Sequence, residues 1–338
     1  MNVEGQKRKK KLILLGVLLV SFLSYIDTTV VSIAEPKIVT TLNGIQDVSW
    51  IFTAYMLTSI ICIPVFGKLS DMYGRKYFYI SGVIIFLVGS ILCGMSISMI
   101  QLIIFRGIQG IGGGITMANS MAILADIYSP AERGKVQGYL GGTIGLASVI
   151  GPVIGGFLTD SLNWRWVFYV NIPVGIIAII VLWLYVSNDS SFDKSESTVR
   201  HNIDWLGFVL TIFICVPLLL IFSQGSSRQG FASITTWIMI FITLISLVLF
   251  IKTEKKTKEA IIPLDLFKNS LFDICVITGV ISMGLLYMII YFVPLLLQDV
   301  LDKTASNWGS LITFLMLGYV VATISSGQVI YRTKKYKI

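Results

Sequence analysis

Ten apolar stretches of about 18 to 27 residues recur along this sequence, and they limit its possible folds more than any other feature. A run of about 18 or more apolar residues is long enough to cross the hydrocarbon core of a bilayer as a helix. The composition agrees, because 55% of the 338 residues are hydrophobic and 13% are charged, whereas about a quarter of a soluble domain is charged. The sequence therefore predicts an all-α polytopic membrane protein.

The predicted spans are joined by short loops, except for two longer polar linkers after the sixth and eighth spans. We place the spans at Leu12–Ala34, Val48–Phe66, Tyr77–Ile97, Met99–Ala122, Val136–Leu158, Val167–Val186, Trp205–Phe222, Ile234–Ile251, Leu271–Leu297 and Gly309–Ile330.

The distribution of basic residues predicts the orientation of these spans. Of the 26 lysines and arginines, 21 fall in segments that are cytoplasmic if the N-terminus is inside, four fall in outer segments, and Arg106 lies within a span. Cytoplasmic loops are the ones enriched in lysine and arginine, so we expect both termini in the cytoplasm. The same distribution explains the net charge of +8 without a nucleic-acid partner.

The residues that most enzymes and metal sites need are scarce or badly spaced. His201 is the sole histidine, and the four cysteines lie apart inside apolar runs, which fits neither a metal-ligand pattern nor a disulfide framework. The glycine-rich string LIIFRGIQGIGGGITM (Leu102–Met117) follows no predicted strand, so it does not fit a phosphate-binding loop. We therefore expect no enzymatic activity, no cofactor and no metal.

Two ionisable residues are predicted at membrane depth. Asp27 lies about two-thirds of the way through the first span, and Arg106 lies about a turn and a half into the fourth, where a charge needs a partner or a wet cavity. With Arg106 as its partner, Asp27 would be a site where protons and cationic substrates compete. Glu35, at the outer end of the first span, fits an interfacial, hydrated group, and it could also add negative potential to a mouth that attracts cations. Two simpler interpretations stay open: Arg106 could snorkel to the outer interface, and Asp27 could be a hydrogen-bonded structural carboxyl.

The loop between the second and third spans, GKLSDMYGRK, has more features than orientation requires. Its glycines, Gly67 and Gly74, indicate a tight cytoplasmic turn. Asp71 and Arg75 are four residues apart, which allows an ion pair if the turn is helical. A basic loop that only fixes orientation would explain Arg75 and Lys76, but not the glycines or Asp71.

The fifth span carries GGTIGLASVIGPVIGG, a string that favours close helix packing. Gly141 and Gly145, and then Gly151 and Gly155, are small residues four apart on one helix face. Pro152 removes one backbone hydrogen bond, so the helix can bend there. We interpret this span as a flexible packing seam.

Taken together, these strings resemble the major facilitator superfamily. GKLSDMYGRK is similar to its loop signature, and FRGIQGIGGG and GLASVIGPVIGG are similar to its arginine-bearing and antiporter motifs. YIDTTVVSIAEPKI and WRWVFYVNIPVG resemble the fourteen-span drug:proton antiporter branch, which includes bacterial multidrug and tetracycline efflux pumps. The resemblance implies a major facilitator fold of two six-helix bundles, a bacterial cell membrane location and a monomer at full length.

The resemblance also implies roles for individual residues and a set of partners. The partners would be hydrophobic or cationic drugs, protons and the lipid bilayer, with no nucleic acid. The implied residues are Asp27, Arg106 and Glu35 for coupling, Gly67, Asp71, Gly74, Arg75 and Lys76 for a gate loop, and Gly145, Gly151, Pro152, Gly155 and Gly156 for the antiporter motif.

The layout predicts three units along the chain. They are a complete N-terminal six-helix bundle over residues 1–190, a two-helix linker hairpin over 203–252, and an incomplete C-terminal bundle of two helices over 260–338. Because four spans of the second bundle would be missing, we expect a C-terminal truncation. The functional hypothesis is proton-coupled drug efflux by a secondary antiporter, and the alternative is a truncated, non-transporting membrane protein or an interaction partner of another chain.

Overall fold

The computed structural model describes residues 3–186, 204–224, 233–257, 260–299, 317–326 and 328–329. Within these ranges the chain is helical apart from short connections. Seven of the described helices are long and apolar enough to cross a membrane. The prediction of an all-α polytopic membrane protein is therefore confirmed.

Short 3-10 turns at Ile45–Asp47 and Leu264–Lys268 interrupt a succession of α-helices. In chain order the helices are α1 (Val3–Leu42), α2 (Val48–Tyr73), α3 (Arg75–Met95), α4 (Met99–Ile127), α5 (Pro130–Ser161), α6 (Trp166–Tyr169), α7 (Asn171–Tyr185), α8 (Trp205–Gln224), α9 (Ile234–Glu254), α10 (Ser270–Asp299) and α11 (Leu317–Ser326).

The described helices follow the predicted spans, but several of them extend beyond the predicted ends and one span is divided. Most of the tenth predicted span, Gly309–Ile330, lies outside the described residues. α1 continues to Leu42, beyond the predicted end of the first span at Ala34, because hydropathy marks only the apolar part of a helix whose backbone hydrogen bonds continue further. The sixth span is divided into α6 and α7 at Val170. Pro173 explains the break, since it has no N–H to donate to the carbonyl of residue 169, four positions earlier.

Helices α1 to α7 pack into one bundle, in which α4 contacts α2 and α3, and α1 contacts α5 and α7. Two apolar clusters fill its interior. Residues of α1 up to Leu23 belong to one cluster, together with Phe86, and residues from Ile26 onward belong to the other, together with Trp164. α1 therefore passes from one cluster to the other directly before Asp27.

Glycines allow α4 to lie very close to its neighbours. A Cβ atom at Gly112 would lie 2.6 Å from the Gly82 carbonyl oxygen of α3, and one at Gly114 would lie 2.8 Å from Cβ of Cys62 on α2. Real Cβ atoms do not approach other atoms so closely, so these helix pairs depend on glycine. The glycine-rich string Leu102–Met117 is therefore a helix-packing face.

Two of the remaining helices, α8 and α11, contact this bundle, and they do so at separate places. α8 and α9 pack against each other, and α8 also contacts α2. α11 reaches α5, where Thr323 and Ile324 lie beside Gly141 and Gly138.

Candidate functional site

A buried ion pair joins α1 to α4. Arg106 Nη1 donates to Asp27 Oδ2 over 2.6 Å, and both side chains have 0% exposed surface. The structure thus brings together the two ionisable residues that the sequence predicted at membrane depth. Because the Arg106 side chain is fully buried, it does not extend to the membrane interface, and the snorkelling interpretation is ruled out.

The guanidinium group of Arg106 is fixed by contacts to α2 as well. Its Nε donates to the Ile51 carbonyl oxygen over 3.2 Å, and its Cζ lies 4.5 Å from the centroid of the Tyr55 ring. Nη1 also donates to Gln109 Oε1 over 2.8 Å. A planar guanidinium with several donors can make all these contacts at once, which a lysine could not do.

Two side-chain amides complete the surroundings of the Asp27 carboxylate. Gln109 Nε2 and Asn171 Nδ2 each donate to Asp27 Oδ1 over 2.8 Å. Asn171 Nδ2 also donates to Ser90 Oγ over 3.0 Å, and Ser90 Oγ donates to the Phe168 carbonyl oxygen over 2.8 Å. Four helices, α1, α3, α4 and α7, thus supply this polar cluster.

Sequence reasoning missed both amides. Gln109 had a usable signal, because it follows Arg106 by three residues and must lie on the same helix face. Asn171 had a weaker signal, because it is a single uncharged amide within the predicted sixth span, 144 residues from Asp27 along the chain. Only the packing of α7 against α1 brings it there.

The cluster is balanced in charge and rich in donors. One anion faces one cation, and both oxygens of Asp27 accept hydrogen bonds from protein groups. Such pairing and hydrogen bonding is what makes buried charge tolerable. Because both side chains have 0% exposed surface, Asp27 does not contact solvent in this arrangement.

Glu35 lies apart from this cluster. It is half-buried and follows Asp27 by eight residues on α1, which is about 12 Å along a helix axis. The structure does not bring Glu35 to Asp27 or Arg106. Its contribution to a negative mouth stays a prediction.

The predicted gate loop is a sharp turn between two helices. α2 ends at Tyr73 and α3 begins at Arg75, so the loop does not continue as one helix, and Gly74 between them has φ 103°. That left-handed conformation favours glycine, because a side chain would be strained there. The pair of Asp71 and Arg75 forms nonetheless, with Arg75 Nη2 2.8 Å from Asp71 Oδ1.

Arg75 has a second acidic partner that sequence reasoning missed. Its Nη1 lies 2.9 Å from Asp126 Oδ2, near the end of α4. Lys76 points elsewhere, since its Nζ donates to the Trp183 carbonyl oxygen over 2.9 Å. At Gly67, a Cβ atom would lie 3.8 Å from the nearest side-chain carbon of α4. The loop therefore links the ends of α2 and α3 to α4, while Lys76 contacts α7.

The glycines of the predicted antiporter motif differ in their surroundings. A Cβ atom at Gly151 would collide with Thr29, and one at Gly155 would lie 3.2 Å from Cα of Val30. Both therefore face α1, directly after Asp27. Gly156 has open space around it, Pro152 is exposed and Gly145 is buried.

Fold and site together define a multi-pass helical membrane protein with a charge pair in its interior. Within the described ranges, no group of three or more histidine, cysteine, aspartate or glutamate side chains could hold a metal ion. The sequence model of the Major Facilitator Superfamily matches residues 17–338, so the chain belongs to this superfamily of transporters and is not an enzyme.

Two relatives from Bacillus subtilis (strain 168) have names that refer to drugs. The chain is 41% identical to "Multidrug transporter protein MdtP" over 98% of its own length and 60% of the relative, and 36% identical to "Multidrug resistance protein 3" over 98% of its own length and 63% of the relative. The chain thus spans about three-fifths of the length of these relatives.

Two solved structures have the same fold. The human organic anion transporter MFSD10 (TETRAN) matches with a TM-score of 0.61 at 16% identity, covering 95% of this chain and 73% of that one. The proton:xylose symporter XylE matches with a TM-score of 0.63 at 12% identity, covering 96% and 70%. At such low identity the likeness establishes the fold alone.

Proposed function

We propose that this chain takes part in proton-coupled export of hydrophobic or cationic drugs across a bacterial plasma membrane, as a secondary antiporter. The observation that carries the proposal is the buried ion pair of Asp27 and Arg106, at 2.6 Å and without exposed surface. The names of the two Bacillus relatives support drugs as the substrate class.

Asp27 is the proton carrier in this proposal. A proton that reaches Asp27 neutralises the carboxylate and leaves Arg106 without its counter-charge, so the packing of α1 against α4 has two electrostatic states. Moving one charge inward across 100 mV provides about 2.3 kcal/mol. That exceeds the roughly 1.4 kcal/mol needed to concentrate a neutral substrate tenfold.

The other predicted residues act around this pair. We propose that Glu35 attracts cations to the outer mouth, that Gly67, Asp71, Gly74, Arg75 and Lys76 form a cytoplasmic gate, and that Gly145, Gly151, Pro152, Gly155 and Gly156 form the seam along which helices move. Both termini lie in the cytoplasm in this arrangement, residues 1–190 are the first bundle, and the full-length protein acts as a monomer.

The test is proton flux in proteoliposomes that contain the purified chain and a pH-sensitive dye. With a proton gradient imposed, we expect ethidium or tetracycline to increase proton movement, and Asp27→Asn to abolish the increase because asparagine cannot carry a proton. Asp160→Asn is the matched control, since Asp160 is an exposed carboxylate at the end of α5.

Two results would contradict the proposal. Drug-dependent flux that persists in Asp27→Asn would remove Asp27 as the carrier. A complete lack of flux in the unmodified chain, with both drugs, would favour the alternative of a non-transporting membrane protein.

A further inference from the structure

Every hydrogen bond that reaches Asp27 in the structure suits a carboxylate. Arg106, Gln109 and Asn171 all donate, and each places its donor 2.6 to 2.8 Å from an Asp27 oxygen. A carboxylate accepts only, whereas a protonated carboxyl is also a donor. Protonation therefore adds a buried O–H group, and that group needs an acceptor.

The two amides at Asp27 differ in their freedom to provide this acceptor. Gln109 Oε1 accepts from Arg106 Nη1 over 2.8 Å and lies 3.7 Å from the Cys93 Sγ donor, so both ends of this amide are engaged. Asn171 Oδ1 is buried and accepts no hydrogen bond from any described residue. Reversing the amide of Gln109 would break the contact with Arg106, whereas reversing that of Asn171 breaks no bond to its oxygen.

We infer that Asn171 is a positioning residue that serves both protonation states of Asp27, by exchanging its amide nitrogen and oxygen when the proton binds. In the carboxylate state Nδ2 donates to Asp27 Oδ1, as the structure has it. In the acid state the amide has rotated by half a turn, and Oδ1 accepts from the new Asp27 O–H. The proton comes from a hydronium ion, whose O–H bond breaks and leaves a water molecule, while the new O–H bond forms on Asp27 and Arg106 keeps its own protons.

Ser90 can hydrogen-bond to the Asn171 amide in both of its orientations. Its hydroxyl accepts from Asn171 Nδ2 and donates to the Phe168 carbonyl oxygen. Because a hydroxyl can rotate and both donates and accepts, Ser90 can turn its proton toward Asn171 Oδ1 in the acid state. The reversed amide oxygen then accepts from Asp27 and from Ser90.

This inference rests on the proposed function, in which Asp27 takes up and releases a proton. The ionisable groups that face Asp27 among the described residues are Arg106 from α4, Tyr55 from α2 and Cys93 from α3. Of these three ionisable groups, only Arg106 donates directly to the carboxylate.

The experiment compares two variants that each remove one 2.8 Å hydrogen bond from the same oxygen, Asp27 Oδ1. Infrared difference spectra of the full chain in lipid are recorded against pH, and the carboxylic acid C=O band of Asp27 is assigned by its loss in Asp27→Asn. Gln109→Leu should populate the acid at higher pH, by about one unit, because the carboxylate loses a donor. Asn171→Leu should leave the midpoint almost unchanged, since it removes a partner from both states.

The frequency of the same band gives a second readout. Asn171→Leu should shift the band to higher frequency, because the acid O–H loses its acceptor, and Asn171→Ala should repeat this shift if leucine disturbs folding. Asn119→Leu is the matched control, since Asn119 is also fully buried but donates to the Ile115 carbonyl oxygen, about three turns along α4 from Gln109. It should change neither midpoint nor frequency.

The outcomes separate this inference from the proposed function. Equal midpoint shifts in Gln109→Leu and Asn171→Leu would make Asn171 a fixed donor and overturn the inference, while proton coupling through Asp27 would stand. Absence of an Asp27 acid band at every pH between about 5 and 9 would overturn both.

Discussion

Asp27 and Arg106 are stable in the bundle interior because each is the counter-charge of the other. A single buried charge costs several kcal/mol, and its partner recovers that cost only with good geometry and further hydrogen bonds. Arg106 is held by Ile51, Gln109 and Tyr55 as well as by Asp27, so the pair has good geometry and several further hydrogen bonds. Its Nη2 is the exception, since that atom is buried without a hydrogen-bond partner among the described residues. By contrast, Arg75 is partly exposed beside Asp71 and Asp126, so solvent screens those pairs and they contribute little to stability.

Removal of one member of the buried pair should destabilise the protein more than removal of both. We expect Arg106→Met to lower the free energy of unfolding by about 3–5 kcal/mol, because it leaves the Asp27 charge without its partner. The double variant Asp27→Asn, Arg106→Met should lose less than Arg106→Met alone. Reversible unfolding in detergent measures the free energies of unfolding of the unmodified protein and of the two variants.

The comparison with Asp27→Asn alone completes this cycle. If the loss in the double variant equalled the sum of the two single losses, the residues would act independently. That result would contradict the interpretation of 2.6 Å proximity as a strong interaction.

At the scale of helices, glycines decide how closely α5 and α1 approach. Gly151 lies against Thr29 and Gly155 against Val30, whereas Gly156 on the same helix has open space around it. Since Thr29 is two residues beyond Asp27, the contact between α1 and α5 lies next to the ion pair. A change in the pair therefore acts close to this helix contact.

The glycines of α5 should respond differently to the same added methyl group. We expect Gly151→Ala to destabilise the protein by about 1–3 kcal/mol, because α1 and α5 must separate to fit the new Cβ atom. Gly156→Ala should be neutral or stabilising by up to about 1 kcal/mol, since alanine is the better helix former. Apparent melting temperatures of the two variants, measured side by side in one detergent, show whether each substitution lowers or raises stability. Equal losses of stability in the two variants would show that the space around α5 does not matter.

Hydropathy predicts the helices only in part, because it detects apolar runs and not backbone hydrogen bonds. Apolar runs marked the part of each helix in lipid, but not the extension of α1 to Leu42 or the break before α7. Asp27 and Arg106 stood out because charge within an apolar run is costly. Asn171 did not stand out because it is uncharged, and Asp126 did not because it is partly exposed near the end of α4, where a charge costs little.

At the scale of the whole molecule, the basic residues predict an orientation in the membrane that can be tested directly. Gln46 follows α1 at the predicted outer side, and Tyr73 ends α2 at the predicted inner side. Both residues are exposed. They are therefore suited to labelling from one side of the membrane.

Single cysteines should reveal opposite sides of the membrane at these two positions. In a background without the four native cysteines, a membrane-impermeant maleimide should label Gln46→Cys in intact bacterial cells, because that loop is predicted outside. Tyr73→Cys should be labelled only after the membrane is permeabilised. The reverse pattern would mean that the chain is inserted upside down relative to the distribution of its lysines and arginines.

The separation of the ion pair along the chain also has a consequence for biosynthesis. Asp27 and Arg106 are 79 residues apart, and ribosomes add about 5–20 residues per second, so the second residue follows the first by about 4 to 16 seconds. Asn171 comes later still, 144 residues after Asp27. During this interval the nascent first helix carries an acid whose native partners have not yet been translated.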